Sequence, residues 1–291
     1  EAHYLKSRDS KRTTAIFGEG CNEKLGALIK DVPYVFCLSG TPTPNNNAEL
    51  WPMLRALAPE LILGKNGKPM NYWQFAMRYC DVVDNGFGMQ IKGNRNTEEL
   101  RARIAPFVLR RKKSDVLKDL PAVTFDTLPL TYEIAAKALR DVERSEDAER
   151  VRSALDGGID LAGLAPGSVA TLRRLTGIAK MYAVVSWVVD WLDGGGDKLV
   201  VFAHHREVIE GIASEIAPGV AVWITGNTPA SARQKAIDAF QNNPSVKIFI
   251  GQIQAAGTGI TLTAASEVLF AESSWVPSEN MQAAEIGRAV Q

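Results

Sequence analysis

The chain has 291 residues, of which 46% are hydrophobic and 23% are charged, a balance that excludes disorder and a disulfide-stapled miniprotein and allows two ordinary domains. Lysine plus arginine and aspartate plus glutamate number 33 each, so binding to a polyanion must come from local patches. Three cysteines without a C-x-x-C pair and three histidines disfavour structural zinc and a disulfide framework, and we expect a soluble, unexported protein because no apolar run reaches roughly 18 to 20 residues.

The first hundred residues predict a buried strand, two helices and an irregular segment. The apolar run at residues 33–38 ends in Ser-Gly-Thr-Pro, as a buried strand gives way to a loop. Apolar residues at steps of three and four predict an amphipathic helix over residues 47–57. Between residues 64 and 97, an aromatic cluster predicts a helix, and the glycines that follow predict a flexible excursion.

The middle of the chain is basic and then polar. The densest positive run, residues 110–113, leads to Pro121, which ends any helix. Alternation over residues 123–131 predicts an edge strand. Charged residues and alanines over 132–155 predict a solvated helix, and the glycines of 156–168 predict a linker or domain boundary.

The remaining sequence alternates regularly between helices and strands. Helices are predicted at 170–192, 208–216 and 230–240, and strands at 198–203, 221–224, 247–250 and 267–271. This alternation predicts a parallel sheet covered on both faces, with functional residues on the loops at the carboxyl ends of its strands.

The loop at residues 251–262 is rich in small residues, which lets backbone amides approach a phosphate closely. A simple tight turn is the alternative. No G-x-x-x-x-G-K-[ST] phosphate-binding loop is present in the chain.

Short segments along the chain follow one another in the order of helicase motifs. They are Glu-Ala-His at 1–3, Leu-Ser-Gly-Thr-Pro at 38–42 with Asn45 and Glu-Leu-Trp at 49–51, Val-Leu-Arg-Arg at 108–111, Val-Val-Phe-Ala-His-His at 200–205, the spaced Gly226, Arg233 and Phe240, Ala-Gly-Thr-Gly-Ile-Thr-Leu at 256–262, and Trp-Val-Pro at 275–277 with Gln282. Together they resemble the Swi/Snf-type superfamily-two DNA translocases, in the branch that contains the annealing helicases.

The resemblance implies an α/β protein with two RecA-like lobes built on parallel sheets, the first incomplete, joined by a helical, basic linker region. The expected division is residues 1–121 for the first lobe, 122–190 for the linker and 191–291 for the second lobe. Two departures stand out. The last motif needs a one-residue gap and keeps one arginine, Arg288, and the first lobe lacks the segment with the phosphate-binding lysine and the magnesium-binding aspartate. We therefore expect the chain to be a piece of a longer protein.

The resemblance also implies roles for individual residues. Glu1 would polarise the attacking water, and Arg288 would neutralise charge that develops on the transferred phosphoryl group. Residues expected to bind ATP or couple its hydrolysis are His3, Gln282, Gly257 and Gly259. Residues expected to hold DNA phosphates are Ser39, Thr41, Asn45, Thr258, His204, Arg110 and Arg111.

Each of these roles has an ordinary alternative. His3 fits a capping or surface histidine, Arg288 a surface arginine, and Gln282 a helix-surface amide. His204 and His205 fit strand-end capping. The basic run at residues 110–113 fits a brace between the lobes, and Trp275 fits either a wedge or a packed lid.

The function implied is that of an ATP-dependent double-stranded DNA translocase that uses ATP and Mg²⁺, with the magnesium ligand an aspartate expected just before Glu1. We expect a monomer that acts on double-stranded or branched DNA without a membrane, in the cytoplasm of a prokaryotic or phage system or in a eukaryotic nucleus. Residues 1–291 alone would be inactive. The alternatives are a DNA-binding or scaffold module with a decayed motor, and a superfamily-two RNA helicase.

Overall fold

The computed structural model describes residues 1–21, 27–111, 116, 123–129, 166–257 and 259–286. The chain forms two compact units, Glu1–Lys118 and Asp119–Gln291. The helix predicted for 132–155 and most of the linker predicted for 156–168 lie outside the described residues. The three-part division of the chain therefore stays a prediction.

The described residues of the first unit form four short α-helices in regular segments, and polar side chains cap the start of the first and the third. The helices are α1 (Lys11–Phe17), α2 (Trp51–Leu57), α3 (Tyr72–Tyr79) and α4 (Thr97–Ile104). A 3₁₀ turn, Asn47–Leu50, leads directly into α2. The side chain of Asn71 accepts from the backbone amide of Gln74, and the side chain of Gln74 accepts from the backbone amide of Asn71. These two hydrogen bonds form a capping box that starts α3. The helices predicted over 47–57 and after residue 64 are confirmed.

The predicted flexible excursion is wrong, because the chain forms a hairpin there. Strands β1 (Cys80–Asp84) and β2 (Met89–Asn94) pair antiparallel. Gly86 and Gly88 lie between them with positive φ angles, which glycine adopts without steric penalty. The glycines that indicated flexibility therefore build a tight turn.

The strand predicted at residues 33–38 is also wrong. These residues have no regular secondary structure, and Tyr34 and Phe36 are 79% and 84% exposed. Within the described part of this unit, the one sheet is the β1–β2 hairpin, so the segment has no neighbouring strand to satisfy its backbone. Residues 123–129 likewise form no strand, contrary to the alternation in their sequence.

The second unit has the predicted α/β architecture. In chain order, the elements of its described residues are α5 (Pro166–Asp193), β3 (Leu199–Ala203), α6 (Arg206–Glu215), β4 (Ala221–Ile224), α7 (Ala230–Asn242), β5 (Ile248–Gln252), α8 (Ile253–Ala256), β6 (Glu267–Phe270) and α9 (Pro277–Ala284). The four strands lie in the order β4-β5-β3-β6 and all pair parallel. The predicted parallel sheet is confirmed.

Helices cover both faces of this sheet, as a run of apolar residues in a parallel strand requires. All five residues of β3 are buried. Val201 packs in one cluster with Val188 of α5 and Ile209 of α6. Phe202 packs on the opposite face in a cluster that includes Phe240 of α7. The loops after the four strands consequently meet at one edge of the sheet.

Helix α5 corrects the expectation that no segment is long and apolar enough to span a bilayer. Residues Arg173–Asp193 meet that condition by length and composition, with a mean hydropathy of 1.2. Val184 and Val188 of this helix belong to the buried cluster on the sheet. Helix α5 therefore uses part of its apolar surface to pack within the second unit.

Candidate functional site

The predicted hydrolytic residues Glu1 and His3 lie beside Ser39, the first residue of the predicted DNA-binding loop. The amide of Ala2 donates to the carbonyl oxygen of Leu38 at 2.8 Å. Nδ1 of His3 lies 3.0 Å from Oγ of Ser39 and 3.0 Å from Oε2 of Glu1. His3 is 8% exposed, so the alternative of a surface histidine is wrong.

The loop that follows Ser39 is held by its own polar groups and by Glu49. The amide of Thr41 donates to Oγ of Ser39 at 3.2 Å. Asn45 is exposed and donates to the carboxylate of Glu49 from its backbone amide and from its side chain. The structure therefore brings Ser39, Thr41 and Asn45 into one ordered loop beside Glu1 and His3.

The magnesium ligand predicted from the sequence is not among the described residues. Those residues contain no group of three or more His, Cys, Asp or Glu side chains that could hold a metal ion. The side chain of Glu1 is 43% exposed and pairs with His3. We therefore assign no reaction step to a metal ion.

In the second unit, a buried carboxylate joins the loops after β3 and β6. Glu272, two residues after β6, is 4% exposed. It accepts hydrogen bonds from the amides of His204 and His205 at 2.9 Å each, and Nδ1 of His205 lies 2.7 Å from its Oε1. The backbone amides after β3 are thus capped by Glu272. Whether His204 also contacts DNA stays a prediction.

The pKa of His204, at the same edge of the sheet, is lowered by its surroundings. Burial lowers the pKa of the His204 imidazole, and the nearby charges of Arg173 and His205 lower it further. Burial also lowers the pKa of Lys180, although the carboxylate of Glu272 acts in the opposite direction. Nδ1 of His204 is buried without a hydrogen-bond partner in the described part of the chain.

Gln252 and Arg233 hold the remaining loops of this edge through their side-chain hydrogen bonds. Gln252, at the end of β5, accepts from the amide of Gly226 at 2.7 Å and donates to the carbonyl oxygen of His204 at 3.0 Å. Arg233 donates to the carbonyl oxygens of Thr225, Gly226, Thr228 and Ala255. Gly226 and Arg233 matched spaced positions of the helicase motifs, whereas the signals for Gln252 and Glu272 were only their places near strand ends.

The small-residue loop lies against the helix that carries Gln282. The amide of Gly257 donates to the carbonyl oxygen of Ile253 at 2.7 Å. A Cβ atom at Gly257 would overlap that oxygen and lie 3.4 Å from Cβ of Ala283. The amide of Leu262 donates to the carbonyl oxygen of Ile286 at 3.0 Å. Gly257 therefore packs against α9, the helix that carries Gln282, and Gly259 follows two residues later in the same loop, while Thr258 and Arg288 lie outside the described residues.

Two further predicted features are on the surface. Trp275 is 69% exposed, so the alternative of a packed lid is wrong. The guanidinium of Arg173 lies 5.2 Å from the centre of its ring. Arg110 and Arg111 are exposed in a segment without regular secondary structure, which fits either of their predicted roles.

Comparison with known proteins gives two family matches that follow each other along the chain. Residues 1–137 match the model of the SNF2-related domain, and residues 180–290 match the model of the helicase conserved C-terminal domain. A Caenorhabditis elegans homolog of the SWI/SNF-related matrix-associated actin-dependent regulator of chromatin subfamily A-like protein 1 is 32% identical over 97% of the chain. The human DNA annealing helicase and endonuclease ZRANB3 is 29% identical over 97% of the chain.

The chain spans 39% of the length of the nematode relative and 25% of that of the human relative. Among solved structures, the Sulfolobus solfataricus SWI2/SNF2 ATPase core in complex with dsDNA is 24% identical over 99% of this chain and 60% of that chain, with a TM-score of 0.42.

Proposed function

Because the chain belongs to the Swi/Snf-type superfamily-two helicases, whose members use ATP, we propose that it is part of an ATP-dependent translocase that acts on double-stranded or branched DNA. We expect this translocase to remodel or anneal DNA duplexes. Contacts to phosphates position a protein on DNA without reading its sequence, so we propose no base specificity.

One observation carries the proposal, namely the two contacts of the buried His3. Its Nδ1 lies 3.0 Å from the carboxylate of Glu1 and 3.0 Å from the hydroxyl of Ser39. A carboxylate beside the γ-phosphate can accept the proton of the attacking water. Hydroxyl groups and backbone amides, as in the loop after Ser39, suit DNA phosphates. A single imidazole would then join the hydrolytic group to the DNA-binding loop.

In this proposal, the second unit supplies residues that contact the nucleotide and stabilise the transferred phosphoryl group. We propose that Gly257, Gly259 and Gln282 lie beside the nucleotide and that Arg288 stabilises negative charge on the transferred phosphoryl group. Thr258 and His204 would follow the DNA backbone, together with Arg110 and Arg111 of the first unit. We propose that Mg²⁺ accompanies ATP in the full-length protein and that its aspartate ligand lies outside residues 1–291.

The relatives named as chromatin regulators lead us to propose a nuclear location if the source is a eukaryote. In a prokaryote or a phage-infected cell, the corresponding location is the cytoplasm.

The test is ATP hydrolysis by the full-length natural protein, measured with and without duplex DNA. We expect duplex DNA to stimulate turnover. Glu1→Gln should lower kcat by about 10²- to 10⁴-fold, the contribution of a general base, and Arg288→Ala should lower it by about 10³-fold or more, the effect of removing a charge-stabilising arginine in related reactions. Arg101→Ala, which changes an exposed arginine of α4, is the matched control and should leave turnover unchanged.

Three other results would contradict parts of this proposal. DNA binding without any hydrolysis would favour the scaffold module. Stimulation by RNA in place of duplex DNA would favour an RNA helicase. An unchanged rate in Arg288→Ala would reject the role of that arginine.

A further inference from the structure

The carboxylate of Glu49 connects the start of the chain to the predicted DNA-binding loop. Glu49 is 9% exposed and lies in the 3₁₀ turn before α2. Its Oε1 lies 3.3 Å from Nζ of Lys6 and accepts from Nδ2 of Asn45 at 2.6 Å. Its Oε2 accepts from the backbone amide of Asn45 at 2.9 Å. One side chain therefore fixes Asn45 at two points and pairs with Lys6.

Lys6 directly follows the turn that carries His3, and its amide donates to the carbonyl oxygen of His3 at 3.3 Å. The Lys6–Glu49 pair is thus a second connection between this turn and the loop, separate from the contact between His3 and Ser39. The side chains of Lys6 and Glu49 are 34% and 11% exposed. Their attraction is less screened by salt than that of a surface pair.

We infer that Glu49 is a positioning residue that, with Lys6, transmits DNA binding at Asn45 to the hydrolytic group at Glu1 and His3. The inference rests on the proposed function of the first unit. DNA that contacts the exposed Asn45 would stabilise one arrangement of the loop, and the buried carboxylate would impose that arrangement on Lys6 and on the turn before it. Without the charge on Glu49, DNA would still bind, but it would stimulate hydrolysis less.

The experiment compares Glu49→Gln and Lys6→Met in the full-length protein. Glutamine keeps the shape of Glu49 and one oxygen, so it can keep one of the two hydrogen bonds from Asn45, and it loses the pair with Lys6. We expect the ratio of DNA-stimulated to DNA-free turnover to fall by about three- to thirtyfold, the range of measured couplings between sites. The KM for ATP and the DNA-free rate should stay within about twofold of the wild-type values, because neither residue is expected to contact the nucleotide.

Two further variants test the pair itself. Lys6→Arg keeps the charge and should restore most of the stimulation. The double variant Lys6→Met/Glu49→Gln should lose no more stimulation than Glu49→Gln alone, because Glu49→Gln already removes the pair with Lys6. Glu99→Gln is the matched control, since Glu99 pairs with Arg78 and Arg103 of the same unit and should leave the ratio unchanged.

The outcomes separate this inference from the proposed function. A wild-type protein without DNA-stimulated hydrolysis would refute the proposed function. A stimulated wild-type protein whose ratio is unchanged in both Glu49→Gln and Lys6→Met would refute the inference alone. An equal loss of DNA-free and DNA-stimulated rates would assign Glu49 a purely structural role and would also refute it. If Glu49→Gln does not fold, as judged by thermal unfolding, the ratio in Lys6→Met decides.

Discussion

The surroundings of His204 in the folded protein oppose a positive charge on its imidazole and lower its pKa. Burial is the main cause of its lowered pKa, followed by the charges of Arg173 and His205, while Glu272 and Glu279 act in the opposite direction. In the unfolded chain, the imidazole of His204 has a pKa of about 6.5. As the pH falls below that value, the unfolded state therefore takes up the proton first.

The stability that the neutral His204 contributes should be complete above about pH 6.5 and be lost as the pH falls towards its lower folded pKa. We expect His204→Asn to weaken the fall in Tm between about pH 7 and pH 5. Thermal unfolding of residues 1–291 at several pH values measures this. An identical pH dependence in wild type and variant would contradict the role of His204.

Gly177 of α5 leaves space for the side chain of Glu272, which follows β6. Glycine inside a helix costs about 1 kcal/mol relative to alanine. A Cβ atom at Gly177 would overlap Oε1 of Glu272, whose carboxylate is held by the amides of His204 and His205. Glycine at this position lowers the stability of the helix, but the missing Cβ atom leaves room for the buried carboxylate of Glu272.

Gly177→Ala should therefore destabilise the chain, although alanine favours helices. We expect a loss of about 1–3 kcal/mol in the free energy of unfolding, as for other overpacked cores, measured by urea denaturation. Gly211→Ala in α6 is the matched control, because its Cβ would meet mainly the flexible side chain of Met181 and the resulting loss should be smaller. Greater stability of Gly177→Ala than of wild type would contradict the packing argument.

At the scale of the whole molecule, the segment 33–38 leaves apolar side chains in solvent. Tyr34 and Phe36 are among the most exposed large apolar residues of the described chain. Contiguous apolar surface of this kind promotes association. In place of the monomer predicted from the sequence, we expect residues 1–291 to associate as their concentration rises and Phe36→Ser to reduce that association, as measured by light scattering.

The folded state should tolerate this change, since a surface substitution usually alters stability by no more than about 0.5 kcal/mol. Phe75→Ser replaces a fully buried phenylalanine and should lower Tm strongly, which makes it the contrasting variant. Equal scattering by wild type and Phe36→Ser would show that the segment does not drive association.

The second unit could largely be predicted from sequence because its signals are local. A buried strand and its neighbouring helix each show a period set by their own backbone geometry, and β3, α6 and β5 lie near their predicted positions. The strand predicted at 33–38 had the same local signal and is absent. A strand also needs a partner, and its own residues do not encode whether one is present.

The sequence by itself determined the family, the order of the motifs and the parallel sheet, because these depend on residue identity and short-range period. Only the tertiary structure decided which distant groups meet, as for Lys6 with Glu49 and His205 with Glu272. The physical reason is that a buried carboxylate is stable only where cations and N–H donors surround it. Packing of the whole chain brings those groups together across many residues of sequence.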